Sequence, residues 1–577
     1  MAEGCDPASA RARVVAGVAL SVAERLGVEL PPLALLSRWG PPVLPESLPT
    51  GGEASPALPG AFYEGLLDPA ARRSGGAFYT PPALTRTVVG WALAAPATER
   101  PVVCDPAVGG GAFLLAAAEA LAGGDRSRSE VVAEALVGVD IDPVAVAVTE
   151  AVLALWCGGA AVPRLAVADA LALEPGGWPD RPHAVVGNPP FLNQLGRATA
   201  RGRQQADALR RRFGAASGGY VDTAALFLVL GTQLVRPGGT VAMVMPASFL
   251  ATRDARAARS AVLAEARLEG LWMPSIPVFD GASVRVCVPV LRREEVRSAR
   301  LRLWRDVPPR LIAEVHVDAD ALASSPTWSP LLAGGAGVPD CELDGQGVLG
   351  EWCEVSADFR QQYYGLVPFM VDDPAGELHD DGRFPPLVTS GLVDPAACRW
   401  GRHPTRHHRC RWQAPRVDLA RLEAESDLGP WARARLVPKV VVATQTRVVE
   451  AAVDVDGRWL PSTPLISVVA PPGRLWHAAA ALLAPPVTAW ALRHCGGTAL
   501  SAGGLKLSAA QVRTLPAPRP GGDWDEAAVA VRRASAAGEE RERRRLLLAA
   551  ARASTRAYGV DDPSVEAWWQ ARLPHRR

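Results

Sequence analysis

The run Val102-Val103-Cys104-Asp105-Pro106-Ala107-Val108-Gly109-Gly110-Gly111-Ala112-Phe113 decides the fold. Its β-branched start is a short strand, its three glycines are a turn, and the alanine-rich continuation opens a helix. A glycine turn there lets backbone pass close to a ligand that a Cβ would exclude, and the helix it opens points N–H groups into the same space. Alone, the pattern serves dinucleotides, phosphates or nothing.

Moving outward, the same alternation of short apolar run and helix-like stretch recurs at Leu136–Val139, Leu165–Val167, Ala184–Val186 and Val241–Val244. That is the signature of a parallel α/β sheet wound on both faces. The second run ends on Asp140, an acid placed to accept the hydroxyls of a ribose, as in nucleotide-binding doubly wound folds. Asp142, directly before Pro143, suits a helix cap instead. The third run leads to Asp169, where an adenine amino group could be met. Three acids at successive strand ends define one edge of an open sheet, where ligands bind.

The fourth run leads into Asn188-Pro189-Pro190-Phe191. An amine conjugated to a heteroaromatic ring is a poor nucleophile, and it is helped by acceptors for its two N–H groups. The Asn188 side-chain carbonyl and the Pro189 backbone carbonyl are such acceptors, and neither proline offers a competing N–H. Phe191 can stack on a base rotated out of a duplex. The bland alternative is a tight turn with a capping asparagine.

These residues resemble the adenine N6 DNA methyltransferases of restriction-modification systems, whose signatures are a D-P-x-x-G-x-G cofactor turn and an N-P-P-[YF] catalytic turn. Gly75-Gly76-Ala77-Phe78-Tyr79-Thr80-Pro81-Pro82 is similar to the family's upstream motif, which contacts the methionine portion of the cofactor; its position before the cofactor turn matches the gamma arrangement, with a C-terminal recognition domain. Leu234–Thr240 leading to Met245-Pro246, and Val278–Arg285, extend the likeness to roughly residues 75–295. Where the family usually has cysteine and serine in the cofactor turn, this chain has Val108 and Gly110, and the glycine geometry is kept. The resemblance implies a doubly wound, Rossmann-like class I methyltransferase domain that binds S-adenosyl-L-methionine through Tyr79, Thr80, Pro81, Asp105, Pro106, Gly109, Gly111, Phe113, Asp140 and Asp169. It implies catalysis by Asn188, Pro189, Pro190 and Phe191 on flipped-out adenine in double-stranded DNA. RNA or protein-glutamine methylation through the same turn, or a DNA-binding subunit of a defence complex, are the competing readings, and separate restriction or defence subunits are possible partners.

The 577 residues exceed one hydrophobic core. The expected division is a helical N-terminal region (1–72), with Pro41–Gly60 as a linker or loop, a catalytic domain (73–300), a mixed α+β recognition domain (301–520) and a helical tail (521–577). Charges nearly cancel at +1, so no global field advertises a polyanionic partner, and a nucleic-acid face must be local. Almost every basic residue is arginine, the lysines being Lys439 and Lys506. Pro438–Arg447, Gly503–Ser508 and Val512–Pro516 resemble, more loosely, a target-recognition domain, with Arg447 and Lys506 as candidate DNA contacts. Nine cysteines without an even framework argue against a secreted disulfide scaffold. Cys398, His403, His407, His408 and Cys410 fit no standard zinc spacing, and an arginine-rich loop is the simpler reading, so no metal is expected. Without a leader or a long apolar run, the cytoplasm is the expected compartment.

Overall fold

The computed structural model describes residues 6–44, 54–67, 80–94, 100–123, 125–159, 161–174, 178, 181–192, 202–274, 276–279, 284–294, 298–328, 331, 333, 337–378, 382–495 and 504–574. The chain divides into two compact units, Met1–Pro326 and Thr327–Arg577.

The first unit is built on one sheet: β1 (Val103–Asp105), β2 (Leu136–Asp140), β3 (Arg164–Val167), β4 (Ala184–Gly187), β5 (Thr240–Met243), β6 (Arg267–Met273), β7 (Val286–Arg292), β8 (Ser298–Arg305) and β9 (Arg310–Asp318). Their spatial order is 9-8-6-7-5-4-1-2-3. Strands β1 to β5 are mutually parallel and β7 runs antiparallel between β5 and β6. All five strands expected from the sequence are present. The order reverses between β1 and β4, the crevice where doubly wound sheets bind ligands.

Local chemistry sets the boundaries of the helices beside that crevice. In α1 (Pro7–Leu26) the Asp6 carboxylate accepts from the Ser9 N–H, and Gly27 ends the helix at φ 65°. The helix buries Val18 and Val22 against Leu155 of the helix after β2. Next come α2 (Leu58–Leu66), α3 (Pro82–Leu93) and α4 (Ala112–Leu121), which starts from Gly111 at φ 83°, a left-handed conformation costly for any residue with a Cβ. In α5 (Pro143–Cys157) Asp142 is the N-cap, its Oδ1 accepting from the Val144 N–H at 2.8 Å, with Pro143 in the first turn. The stretch Pro41–Gly60, expected to be a linker, is helical at its end, since α2 begins at Leu58.

The expected boundary near residue 300 falls inside the β8–β9 hairpin, which completes the first unit's sheet. The physical reason is aromatic. Trp304 of β8 stacks on Trp91 of α3 at 4.9 Å, and Trp272 of β6 donates its indole N–H to the Asp306 carbonyl at 2.9 Å. A stacked aromatic pair adds about 1 kcal/mol beyond its buried area.

The second unit has an antiparallel sheet of β10 (Glu354–Ala357), β13 (Lys439–Val442), β14 (Ala451–Asp454) and β15 (Ile466–Val469), in the order 10-15-13-14. Between β10 and β13 in sequence lies a small hairpin, β11 (Thr405–His407) and β12 (Cys410–Trp412). The chain ends in helices that share a core with this sheet: α6 (Leu475–Leu483), α7 (Pro485–His494), α8 (Gly522–Ala536), α9 (Glu540–Ala557) and α10 (Pro563–Gln570). The expected helical tail is therefore part of this unit's core, with Trp524, Tyr558 and Trp569 all buried. Lys439 is fully buried, its ammonium 2.6 Å from Asp454, which also accepts the Arg458 and Trp459 N–H groups. Among the described residues no single helix is long and apolar enough to cross a membrane; the bent pair α6–α7, which would be by composition, is largely core.

Candidate active site

A cavity of about 400 Å³ opens at the carboxyl ends of β1, β2 and β4. Of the residues expected from the sequence, Thr80, Pro106, Gly109, Phe113, Asp140, Asp169, Asn188 and Pro190 line it. Tyr79 lies outside the described residues. Pro81 caps α3, Gly111 caps α4, and Pro189 and Phe191 do not line the cavity, Phe191 being 9% exposed.

Asp140 straddles the crevice. Its Oδ2 accepts the Gly109 N–H at 3.0 Å and its Oδ1 accepts the Asp142 N–H at 2.9 Å. The carboxylate thus ties the second strand to the glycine turn of the first. Each carboxylate oxygen has a further lone pair for a ligand. Burial pushes its proton affinity up, and the backbone N–H groups of Asp142, Gly109 and Ile141 oppose that.

Asp105 sits beneath the turn, fully buried, with Oδ1 accepting the Ala107 N–H at 2.9 Å. Burial pushes its carboxyl up to about 8, helped by the nearby charge of Asp140 and opposed by the Ala107 N–H. It shapes the turn from below and is not a wall of the cavity. Asp169 folds into its own turn, Oδ1 accepting the Leu171 N–H at 3.0 Å.

Asn188 follows β4, and its side-chain N–H donates to the Thr80 hydroxyl at 3.0 Å across 108 residues of sequence. Thr80 is itself buried, so the bond fixes the plane of the amide at the cavity wall. Thr80, at the described end of the upstream motif, is thereby joined to the asparagine turn.

Two polar cavity residues absent from the sequence-derived candidates come from a single helix. Helix α2 brings Glu64, whose Oε1 accepts the Gly110 N–H at 3.3 Å, and Tyr63, whose hydroxyl donates to Asp142 Oδ2 at 2.7 Å. The helix reaches the turn because Gly60 and Gly110 meet backbone to backbone: a Cβ on Gly60 would stand 2.1 Å from the Gly110 carbonyl oxygen. The only sign in the sequence is a Tyr-Glu pair within the apolar stretch Leu58–Leu67.

The described lining contains four carboxylates, Glu64, Asp140, Asp142 and Asp169, and no lysine, arginine or histidine. In the second unit, Arg447 and Lys506 are both exposed. The five Cys and His residues between 398 and 410 do not converge. The His407 ring packs 4.1 Å from Tyr363 and burial holds its proton affinity down to about 4, His403 lies beside Arg399, and Cys410 is exposed. No three metal-ligating side chains meet among the described residues.

The sheet order and the reversed β7, with an acid at the tip of β2, are those of a doubly wound, Rossmann-like methyltransferase domain. Residues 55–305 match the model of the N-6 DNA Methylase family. The type II methyltransferase M.TthHB8I of Thermus thermophilus is 32% identical over 245 residues, 42% of this chain and 50% of that protein, so the chain spans half the length of this relative. The type IIL restriction-modification enzyme MmeI, solved in complex with DNA, superposes with a TM-score of 0.62 at 14% identity, over 90% of this chain and 81% of that one. DrdV, from a DrdV–DNA complex, gives 0.51 at 13% identity, over 83% and 59%. At such identities these two likenesses show shared fold alone.

Proposed function

We propose that this chain is a site-specific DNA methyltransferase: the first unit transfers a methyl group from S-adenosyl-L-methionine to the N6 amine of an adenine swung out of double-stranded DNA, and the second unit selects the sequence. A role in restriction-modification or phage defence, with or without separate subunits, follows from the same reading.

The observation that carries it is the joining of an acid-lined cavity to an asparagine turn whose amide is fixed by Thr80. A phosphate-bearing cofactor would meet four carboxylates and no cation on the described walls, which is the wrong electrostatics for a dinucleotide despite the glycine turn. A cationic ligand with vicinal hydroxyls and an amine fits that donor set. Asp140 would hold the ribose, Asp169 the adenine edge, and Glu64 with Thr80 the methionine end. When bound, this cofactor supplies an electrophilic methyl group on a sulfonium.

The chain's own task is to prepare the acceptor. The Asn188 side-chain carbonyl and the Pro189 backbone carbonyl accept from the target amine and stabilise positive charge developing on its nitrogen. Thr80 holds the amide so that little reorganisation is needed at the moment of reaction. Phe191, buried beside the turn, has to swing outward to stack on a flipped base. Methyl transfer directly to nitrogen needs no enzyme nucleophile, and the buried thiols Cys104 and Cys287 are held protonated by burial.

The test is tritiated methyl transfer by the full chain, with modified sites mapped by modification-sensitive sequencing. Asn188→Ala should keep cofactor and DNA binding and lose at least ~10²-fold in transfer, the scale for one preorganised electrostatic contact. Near-normal transfer by the variant would refute the mechanism. Transfer to RNA or protein but never DNA would move the same site to another amine.

A further inference from the structure

Between Pro395 and Val417 the chain holds six arginines and three histidines and no acidic residue, in a protein whose charges otherwise balance at 61 Lys+Arg against 60 Asp+Glu. Two of the six have structural work. Arg399 pairs with Asp394, and Arg416 is buried on Asp373 at 2.9 Å. The other four, Arg402, Arg406, Arg409 and Arg411, are exposed and have no ion pair among the described residues.

Three of those four sit on the hairpin β11–β12, and each is a poor local choice for a hairpin. Arg406 and Arg411 are directly opposed across the strands, where like charges destabilise. The turn is made by His408 at φ 46° and Arg409 at φ 66°, both left-handed, where Asn-Gly is the favoured pair and a side chain such as arginine is strained. A hairpin optimised for stability would carry none of these. Local rules broken together in one place point to a use for the side chains.

The rest of the hairpin is braced to hold them. Thr405 and His407 face inward and are buried, Thr405 against the Thr389 hydroxyl. The Tyr363 hydroxyl accepts the His408 N–H at 2.8 Å, directly beneath the strained turn, and the Trp412 indole donates to the His407 carbonyl at 3.3 Å. What projects is therefore a preorganised two-stranded ribbon with cations on its outer face and tip. A ribbon of that width enters the major groove of duplex DNA, and arginine is the side chain that binds phosphate and the guanine edge bidentately.

We infer that the β11–β12 hairpin is a DNA-reading ribbon, with Arg406 and Arg411 on the phosphates and Arg409 at the tip reaching a base edge. This rests on the proposal that the chain acts on double-stranded DNA, and it names the surface that meets it, distinct from Arg447 and Lys506.

The decisive variant is the double change His408→Asn with Arg409→Gly, in the full chain. It relieves the turn, so its melting temperature should rise, while affinity for a labelled mixed-sequence duplex carrying the methylated motif falls at least about tenfold. A loss of binding by a more stable protein is not a folding defect. Arg406→Gln with Arg411→Gln should lower the slope of log affinity against log salt by about 2, close to one per phosphate contact removed. Binding of S-adenosylmethionine should not change in either. If the wild type methylates duplex DNA and both double variants bind it with wild-type affinity and salt slope, the hairpin assignment is overturned and the methyltransferase reading stands. If the wild type neither binds nor methylates duplex DNA, both fall. Preferential capture of single-stranded RNA by the hairpin would likewise overturn the assignment.

Discussion

Replacing Gly60 with alanine tests whether α2 belongs to the cofactor site. The new Cβ would stand 2.1 Å from the Gly110 oxygen and 3.0 Å from its carbonyl carbon. A carbon approaches a carbonyl oxygen comfortably at about 3.3 Å, so the helix and the glycine turn must separate by roughly 1 Å. Both partners are backbone, and no flexible side-chain end can absorb the move. Overpacking of this kind costs about 1–3 kcal/mol, partly offset by the ~0.5–1 kcal/mol gained when alanine replaces a helical glycine.

Melting temperature should therefore fall by only a few degrees, whereas ligand affinity should fall markedly, because the separated elements are the cavity wall. The Glu64–Gly110 bond, already 3.3 Å, would be broken, and the Tyr63 hydroxyl would be drawn from Asp142. A loss of about 1.4 kcal/mol is tenfold in affinity, the drop expected in calorimetric titration with S-adenosylmethionine. Gly65→Ala is the matched control: same helix, no atom within 4 Å of its new Cβ, so the propensity gain comes without the clash. Wild-type cofactor affinity in Gly60→Ala would refute the assignment of α2 to the site.

Asp140→Ala should weaken the cofactor more than Glu64→Ala in the same titration, since it removes a ligand acceptor and also releases the Gly109 and Asp142 N–H groups. Asp105 binds its proton more tightly folded than unfolded, with about 8 against an ordinary 3.8, so its contribution to stability is complete below about pH 4, declines as pH rises to about 8, and is level above. Denaturant titrations across that range should show a fall that Asp105→Asn removes. Lys439→Met should destabilise the second unit by about 3 kcal/mol, the low end for breaking a buried pair, because Asp454 keeps two backbone N–H partners; unchanged urea unfolding would show that the pair contributes nothing.

The first unit was legible because its signals are local. A strand followed by a glycine turn, an acid at a strand tip, and Asp142 before Pro143 are each read from a few neighbouring residues, and each appears where the spacing placed it. What escaped depends on contacts distant in sequence. The Thr80–Asn188 bond spans 108 residues, and Glu64 reaches Gly110 only because two glycines remote in the chain let their backbones touch. The boundary near residue 300 missed the β8–β9 hairpin for the same reason, since Trp304 belongs with Trp91 through ring stacking, which hydrophobic period does not record. In the second unit, the lysine within Pro438–Arg447 is turned inward as half of a buried pair.

The acids of the crevice show how little residue type alone settles. In the sequence, Asp105, Asp140, Asp142 and Asp169 follow strands in much the same way, yet the fold gives them four occupations. Asp142 spends one oxygen on the α5 cap and the other on Tyr63, and Asp105 is sealed under the turn and favours its proton. Asp140 and Asp169 share the wall with Asp142, Asp140 joining two strands while facing the cavity and Asp169 folded on its own turn. Their summed field is negative, with no cation on the described walls to compensate. A glycine turn at the amino end of a helix ordinarily invites phosphate; the carboxylates placed around this one disfavour an anion and favour a cationic ligand.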